Sequence, residues 1–219
     1  MIVDTHVHVF TDDRKTYPQI RDTARAGSIP SITEIGQTEW PLTTTEMLAT
    51  MMDDAGVDIA TLVQAYFVYE YDNRYCIDTC LKYSKRFAAV VVLDPMDPKS
   101  PDILEEQVTK QNVKGIRFMR GRLPESSLGR PETFALWAKI EKLKMPLAIN
   151  ERVNEIHKIV PMMEKHPGVR VVAALANPSR SLDSLTSLSS SARRLAASRC
   201  TCSGTRSGEQ SSVSTSSRT

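Results

Sequence analysis

Long apolar runs are missing from this 219-residue chain, so no helix of the ~20 apolar residues needed to cross a bilayer is predicted. The amino-terminal stretch MIVDTHVHVFTDDRK has too short an apolar core for a secretory leader, and it turns acidic early. Cysteine is scarce. Cys76, Cys80, Cys200 and Cys202 are too few and too unevenly placed for a disulfide framework. A cytoplasmic protein with reduced thiols is therefore expected. An excess of either charge is also missing. The 28 basic and 26 acidic side chains leave a net charge of +2, so neither nucleic acid nor an anionic membrane is expected as a partner. What remains, 41% hydrophobic and 25% charged, is the ordinary mixture of a globular domain.

Up to about residue 178 the chain alternates two patterns. Short β-branched runs occupy Met1–Asp4, Ile59–Gln64, Phe87–Asp94, Val113–Phe118, Met145–Asn150 and Val169–Ala173. They are almost wholly apolar, as suits parallel strands covered on both faces. Amphipathic stretches lie between them, over roughly 73–85, 101–111, 131–144 and 153–165. Another begins at Thr43, where Glu46 three residues on suggests a capping box, and ends at Gly56. From the second run onward the starts fall at 59, 87, 113, 145 and 169, that is, at intervals of 28, 26, 32 and 24 residues. Such units imply right-handed crossovers and a parallel sheet. Periodicity alone leaves both a (β/α) barrel and a doubly wound open sheet available. The stretch from Thr11 to Pro41 breaks the rhythm. In a barrel it would lie over the carboxyl-terminal face, where active sites are built.

After Pro178 the composition changes. Residues 179–219 contain 15 serines and six arginines but no lysine and no aromatic residue. A core cannot be assembled from that mixture, so a disordered tail is expected beyond a 1–178 domain. The abrupt loss of lysine and aromatics also suggests a different origin, such as a fused or out-of-frame reading.

The strongest chemical signal is Asp4-Thr5-His6-Val7-His8. Along a regular strand alternate side chains share a face, so Asp4, His6 and His8 are expected to point together into the mouth of a barrel. Two imidazoles two residues apart can share one metal ion, and a nearby carboxylate can orient them. Gln64, Asp94, Arg117 and Asn150 close four other apolar runs with polar groups, at the strand ends where ligands bind. Arg117, with Arg120 or Arg122 nearby, could hold a substrate carboxylate through a bidentate pair. It could equally form an ordinary surface ion pair. Tyr66, Tyr69 and Tyr71 either line a pocket or pack the long first loop. His157 and His166 fall in and just after a helical stretch, where solvated side chains are expected. Cys76 and Cys80, at i and i+4 on a helix, suit burial as small apolar residues.

On these residues the chain resembles the amidohydrolase-related family, which includes lactonases, dicarboxylate-lactone hydrolases and metal-dependent decarboxylases. VDTHVHVF resembles the family's opening strand. LVQAYFVYEYDNRY, FAAVVVLDP and VKGIRFMRGRL resemble its second, third and fourth strand regions, and the likeness extends to about Pro178. The resemblance implies a (β/α) barrel in which the first-strand pair His6 and His8 joins a histidine from the fifth strand, one from the sixth and an aspartate from the eighth. It implies a hydrolase that activates water on a small carboxylated lactone or related cyclic ester or amide, or else a decarboxylase. It implies a divalent metal such as zinc, although histidines that bind substrate without metal are also known in the family. The pattern then fails at several positions. MPLAIN places Asn150 at the fifth-strand histidine, VRVVAALANP places Ala173 and Ala174 at an Asp-His pair, and strands seven and eight are not apparent. An incomplete barrel of about six βα units is therefore expected, since closure takes about 250 residues. Such a barrel would hold metal weakly, turn over poorly and expose its edge strands, with a homo-oligomer as one way to cover them. A carboxylate-binding pseudoenzyme and a product without selected function are the competing readings.

Overall fold

The computed structural model describes residues 1–20, 42–119, 126–151 and 155–175. The expected tail, its boundary at 178, most of the Thr11–Pro41 stretch, Arg120 and Arg122 lie outside the described residues, as do Cys200 and Cys202. Among the described residues there are six strands: β1 (Val3–Val7), β2 (Ile59–Val63), β3 (Phe87–Val92), β4 (Gly115–Met119), β5 (Pro146–Glu151) and β6 (Arg170–Leu175). Between them run α1 (Thr45–Ala55), a short α2 (Tyr66–Tyr69), α3 (Arg74–Lys82), α4 (Ser100–Lys110), α5 (Phe134–Lys142) and α6 (Val160–Lys165).

The sheet order settles what periodicity left open. All five strand pairings are parallel, and the order is β1-β2-β3-β4-β5-β6, with no reversal. A doubly wound sheet must reverse direction at a switch point. A singly wound series instead curls into the wall of a (β/α) barrel, here six units long. Residues that face the helices are sealed: Ala60, Leu62, Ala89, Val91, Ile116 and Leu147 are all at 0% exposure. Against them pack Leu104 of α4, Leu136, Trp137 and Ile140 of α5, and Met162 of α6. Phe118 meets Trp137 edge to face, with centroids 6.0 Å apart. β1 and β6 are the edge strands, and Ile2, Val3 and Val172 are exposed there.

Local chemistry explains most element ends. α1 starts one residue later than the sequence suggests. Thr44, not Thr43, is the cap, and its hydroxyl accepts from the Met47 N–H at 3.3 Å. Glu46 is therefore not the reciprocal partner of a capping box. Its carboxylate turns outward to Lys82 at 3.1 Å and the Tyr83 hydroxyl at 3.0 Å. Gly56 ends the helix at φ 68°. The α2 turn is absent from the periodicity reading, because four residues carry no helical period.

Of the two helix-side histidines, His157 is exposed, as expected. His166 is buried, contrary to expectation. Its Nδ1 lies 3.0 Å from Glu141 Oε2, and the other carboxylate oxygen of Glu141 accepts from the Gly168 N–H at 2.7 Å. One side chain of α5 thus ties down the turn that leads into β6. These two donors hold the Glu141 carboxyl below the usual carboxylate range. Cys76 and Cys80 are both buried in the helix-facing core.

Candidate active site

The first strand is not regular, and its irregularity sets the site. Asp4 pairs with Ala60 while Val7 pairs with Leu62. Three steps along β1 therefore match two along β2, so one extra residue is bulged out. Asp4 and Val7 share the helix-facing side with Ala60 and Leu62. His6 and His8, flanking Val7, fall on the barrel interior. The expectation that Asp4 points with the two histidines is thus overturned, because the bulge breaks the alternation. The Asp4 carboxylate bends back to accept from the His6 N–H at 3.1 Å.

The two imidazoles converge. His8 Nδ1 lies 2.7 Å from the Val63 carbonyl oxygen. Only an N–H can donate there, so this contact puts the proton on Nδ1 and leaves a lone pair on Nε2. That lone pair faces His6 Nε2 at 3.3 Å. Two lone pairs at this distance repel, and either a proton on His6 or a cation between the rings relieves the contact. Arg117, from β4, brings its Nη1 to 3.4 Å from the same His6 nitrogen. Phe67 packs edge-on to His8, with centroids 6.3 Å apart.

Arg117 is 4% exposed, its Nε has no hydrogen-bond partner, and no acidic side chain pairs with it among the described residues. Burial pulls its pKa down. Burial also lowers the pKa of both histidines. Arg117 adds to the effect at His6, where Asp4 opposes it. At His8 the bond to Val63 opposes the burial effect, while His6 and Arg117 reinforce it. Both rings are therefore biased toward the neutral form, with lone pairs available to a metal, a proton or a substrate.

The other strand-end residues divide. Asn150 pairs with Met119, two positions beyond Arg117's partner Ala148, so it stands on Arg117's face. Ala174 pairs with Asn150 in turn. Asp94 instead caps its own turn, accepting from the Met96 N–H at 2.9 Å. Gln64, expected at the ligand side, turns into the protein. It is 1% exposed, and its amide donates to the Glu70 and Asp72 carbonyls, both at 2.9 Å. Tyr66 and Tyr71 stack edge-on at 5.4 Å, and Tyr69's hydroxyl accepts from the Thr11 N–H, pinning the start of the first loop. Sequence reasoning missed the roles of Gln64 and Phe67. Only the bare adjacency of a polar strand end and an aromatic cluster could have hinted at them.

The donor pair can be tested against a metal. Two imidazole nitrogens about 2.05 Å from one tetrahedral ion, subtending about 109°, stand ~3.3 Å apart. The observed His6–His8 separation is 3.3 Å. The Nδ1 bond to Val63 is the outer contact that usually orients such a ligand. A third ligand is not at hand: no group of three His, Cys, Asp or Glu side chains suited to a metal exists among the described residues.

A parallel sheet wound one way, with a His-x-His pair and a buried arginine at its carboxyl end, defines an incomplete (β/α) barrel with its polar site at the strand ends. The chain belongs to the amidohydrolase family, whose family model matches residues 3–174. No curated protein sequence matches it. Among solved structures it is similar to a probable 2-pyrone-4,6-dicarboxylic acid hydrolase from Acinetobacter baumannii with citric acid bound, at 16% identity and a TM-score of 0.59, over 78% of this chain and 57% of that one. A putative 2-pyrone-4,6-dicarboxylic acid hydrolase from Pseudomonas putida is 18% identical, with a TM-score of 0.57, over 86% of this chain and 65% of that one. A 5-carboxyvanillate decarboxylase from Novosphingobium aromaticivorans, with manganese bound, is 16% identical, with a TM-score of 0.56, over 79% and 65% of the two chains. These are likenesses of fold, and this chain spans less than two thirds of the length of each of the three.

Proposed function

We propose that the interior site binds a small carboxylated substrate and carries an impaired form of water-dependent ring opening of a lactone or related cyclic ester or amide. The observation that carries this reading is Arg117, a guanidinium buried beside two neutral imidazoles with no counter-ion among the described residues. A buried charge is costly unless something pairs with it, and a planar fork suits a carboxylate. The A. baumannii relative holds citric acid, itself a carboxylate. In this reading Arg117 anchors the substrate, Asn150 offers an amide on the same face, and His8, fixed by Val63, presents its Nε2 lone pair. Without a metal, His6 passes a proton at its own Nε2.

A divalent metal would be held by His6 and His8 alone. When bound, it would polarise a carbonyl and ease ionisation of water. With Asn150 and Ala174 at the positions of the family's further histidines, such an ion is held weakly and turnover falls near background. Each missing acid-base group is commonly worth about 10²–10⁴-fold.

Decarboxylation is the second reading, favoured by one distance. Arg117 sits 3.4 Å from His6, so a carboxylate bound there lies beside a proton donor and not across the site from it.

Calorimetric titration of the purified chain with citrate tests the binding. One-to-one binding lost in Arg117→Met is expected, and no binding by the wild type sinks the proposal. Ring opening read by ultraviolet absorbance, set against carbon dioxide release, separates the two reactions. Rapid turnover abolished by His8→Ala would contradict the impaired state. Stoichiometric metal surviving dialysis would reveal ligands beyond the pair.

A further inference from the structure

The loop that follows β2 is held in a way that neither its packing nor the proposed chemistry requires. Residues Tyr69 to Asp72 form a tight turn, with the Asp72 N–H donating to the Tyr69 carbonyl at 3.0 Å. Its first central residue is Glu70, at φ 56° and ψ −113°. These angles lie close to the type II′ values, a corner that glycine adopts freely and a glutamate only under strain. Two buried carboxamides oppose that strain. Gln64 donates to the carbonyls of Glu70 and Asp72 at 2.9 Å each. Asn73 donates to the Tyr71 carbonyl at 3.1 Å, and to the Val92 carbonyl at 2.9 Å, and accepts from the Val92 N–H at 2.8 Å. Three successive carbonyls of the turn are thus held, and the far anchor is the neighbouring strand.

The clamp reaches the imidazoles by two routes. Gln64 shares its peptide unit with Val63, whose carbonyl takes the His8 Nδ1 proton at 2.7 Å. The nitrogen of the same peptide donates to the Val90 carbonyl at 2.9 Å. The clamped segment also carries Phe67, whose ring packs on His8. We propose that Gln64 is a positioning residue: by holding the strained Glu70 turn it fixes the Val63–Gln64 peptide and the Phe67 ring, and so the tautomer and orientation of His8. Gln64 touches no reacting atom and acts through its grip on the turn. The inference rests on reading His8 as a site residue. Its readout is a ring tautomer and not turnover, so its failure and that of the proposed reaction are separable.

The strain supplies the test. If Gln64 works by opposing the cost of Glu70's conformation, removing that cost makes Gln64 dispensable. Three full-length variants, Gln64→Met, Glu70→Gly and the double variant, are labelled with ¹⁵N at histidine. Spectra are taken at a pH where the rings are neutral. In the wild type and in Glu70→Gly, His8 shows one protonated and one unprotonated ring nitrogen, with Phe67 close by in nuclear Overhauser spectra. Glu70→Gly also melts about 3–8 °C higher. In Gln64→Met the two nitrogen signals move toward a tautomer average, and the Phe67 contact weakens. The double variant recovers the wild-type signature. Wild-type His8 signals in Gln64→Met overturn the proposal, as does loss of them that Glu70→Gly does not restore. If Gln64→Met alone does not fold, the double variant decides: a native His8 signature supports the proposal, and an altered one refutes it.

Discussion

Replacing Arg117 by methionine should stabilise the free protein and cripple its response to carboxylates. The guanidinium is 4% exposed and its Nε–H meets no acceptor. One unsatisfied buried donor costs about 1–3 kcal/mol, and an uncompensated buried charge costs several kcal/mol more before relaxation. Against this, among the described residues Arg117 has only its contact with His6 at 3.4 Å, a long and poorly committed bond. Methionine fills a similar volume with an unbranched, adaptable chain, so little packing is lost. The net expectation is a gain of about 1–3 kcal/mol, and each kcal/mol moves the melting point by about 2–4 °C in a chain of this size. Citrate at a hundred times its Kd adds about 2.7 kcal/mol to a protein that binds it and nothing to one that does not. The order of stabilities should therefore converge or reverse on adding citrate. Urea unfolding followed by circular dichroism, with and without citrate, reads both effects. An Arg117→Met protein that is less stable without ligand, or that gains as much from citrate as the wild type, would refute the reasoning. Arg117→Lys, which keeps the charge but not the fork, should recover only part of the response.

Stability should also fall on mild acidification. Burial holds the pKa of both His8 and His6 below the ordinary imidazole value. Their contribution is thus full above about pH 6.5 and is lost as pH drops toward the lowered values, because the unfolded chain takes up the protons first. A His6→Gln/His8→Gln variant should flatten the stability profile over that window, and an unchanged slope by urea titration would count against it. Trp137→Ala should cost about 3–5 kcal/mol, because the indole is fully buried against Phe118; a loss below ~1 kcal/mol in chemical denaturation would show that the helix layer repacks. Two glycines separate backbone strain from collision. Gly56→Ala meets nothing within 4 Å and should cost about 1 kcal/mol through its positive φ alone. Gly129→Ala would also place its Cβ 2.7 Å from the Lys158 carbonyl oxygen, so it should be clearly worse in the same thermal melt.

The sequence carried the strand and helix series well, because buried parallel strands are written as short, β-branched apolar runs set at regular intervals between amphipathic stretches. It could not choose between barrel and open sheet, since strand order is a property of three dimensions that local patterns do not encode. His6, His8 and Arg117 were each visible as polar groups at strand ends, but their meeting joins residues 111 positions apart. The role of Asp4 was misread because a one-residue bulge leaves no mark in composition, yet moves a side chain to the other face. His166 was misread for a related reason: its burial depends on Glu141 25 residues away, and nothing near His166 announces a partner. Gln64 was misassigned because a strand-end amide can serve a ligand or its own loop, and the strain at Glu70 that favours the loop shows only in φ and ψ.

The Glu141 tie to His166 and Gly168 lies where the chain enters β6, at the end of the sheet remote from the histidine pair. A six-residue strand separates the two levels by about 20 Å. Substitutions at the entry end should therefore combine almost additively with changes at the mouth. Directed evolution of a new reaction on this scaffold could begin there, raising the tolerance to destabilising exchanges at Arg117 or Asn150 before any of those exchanges is tried.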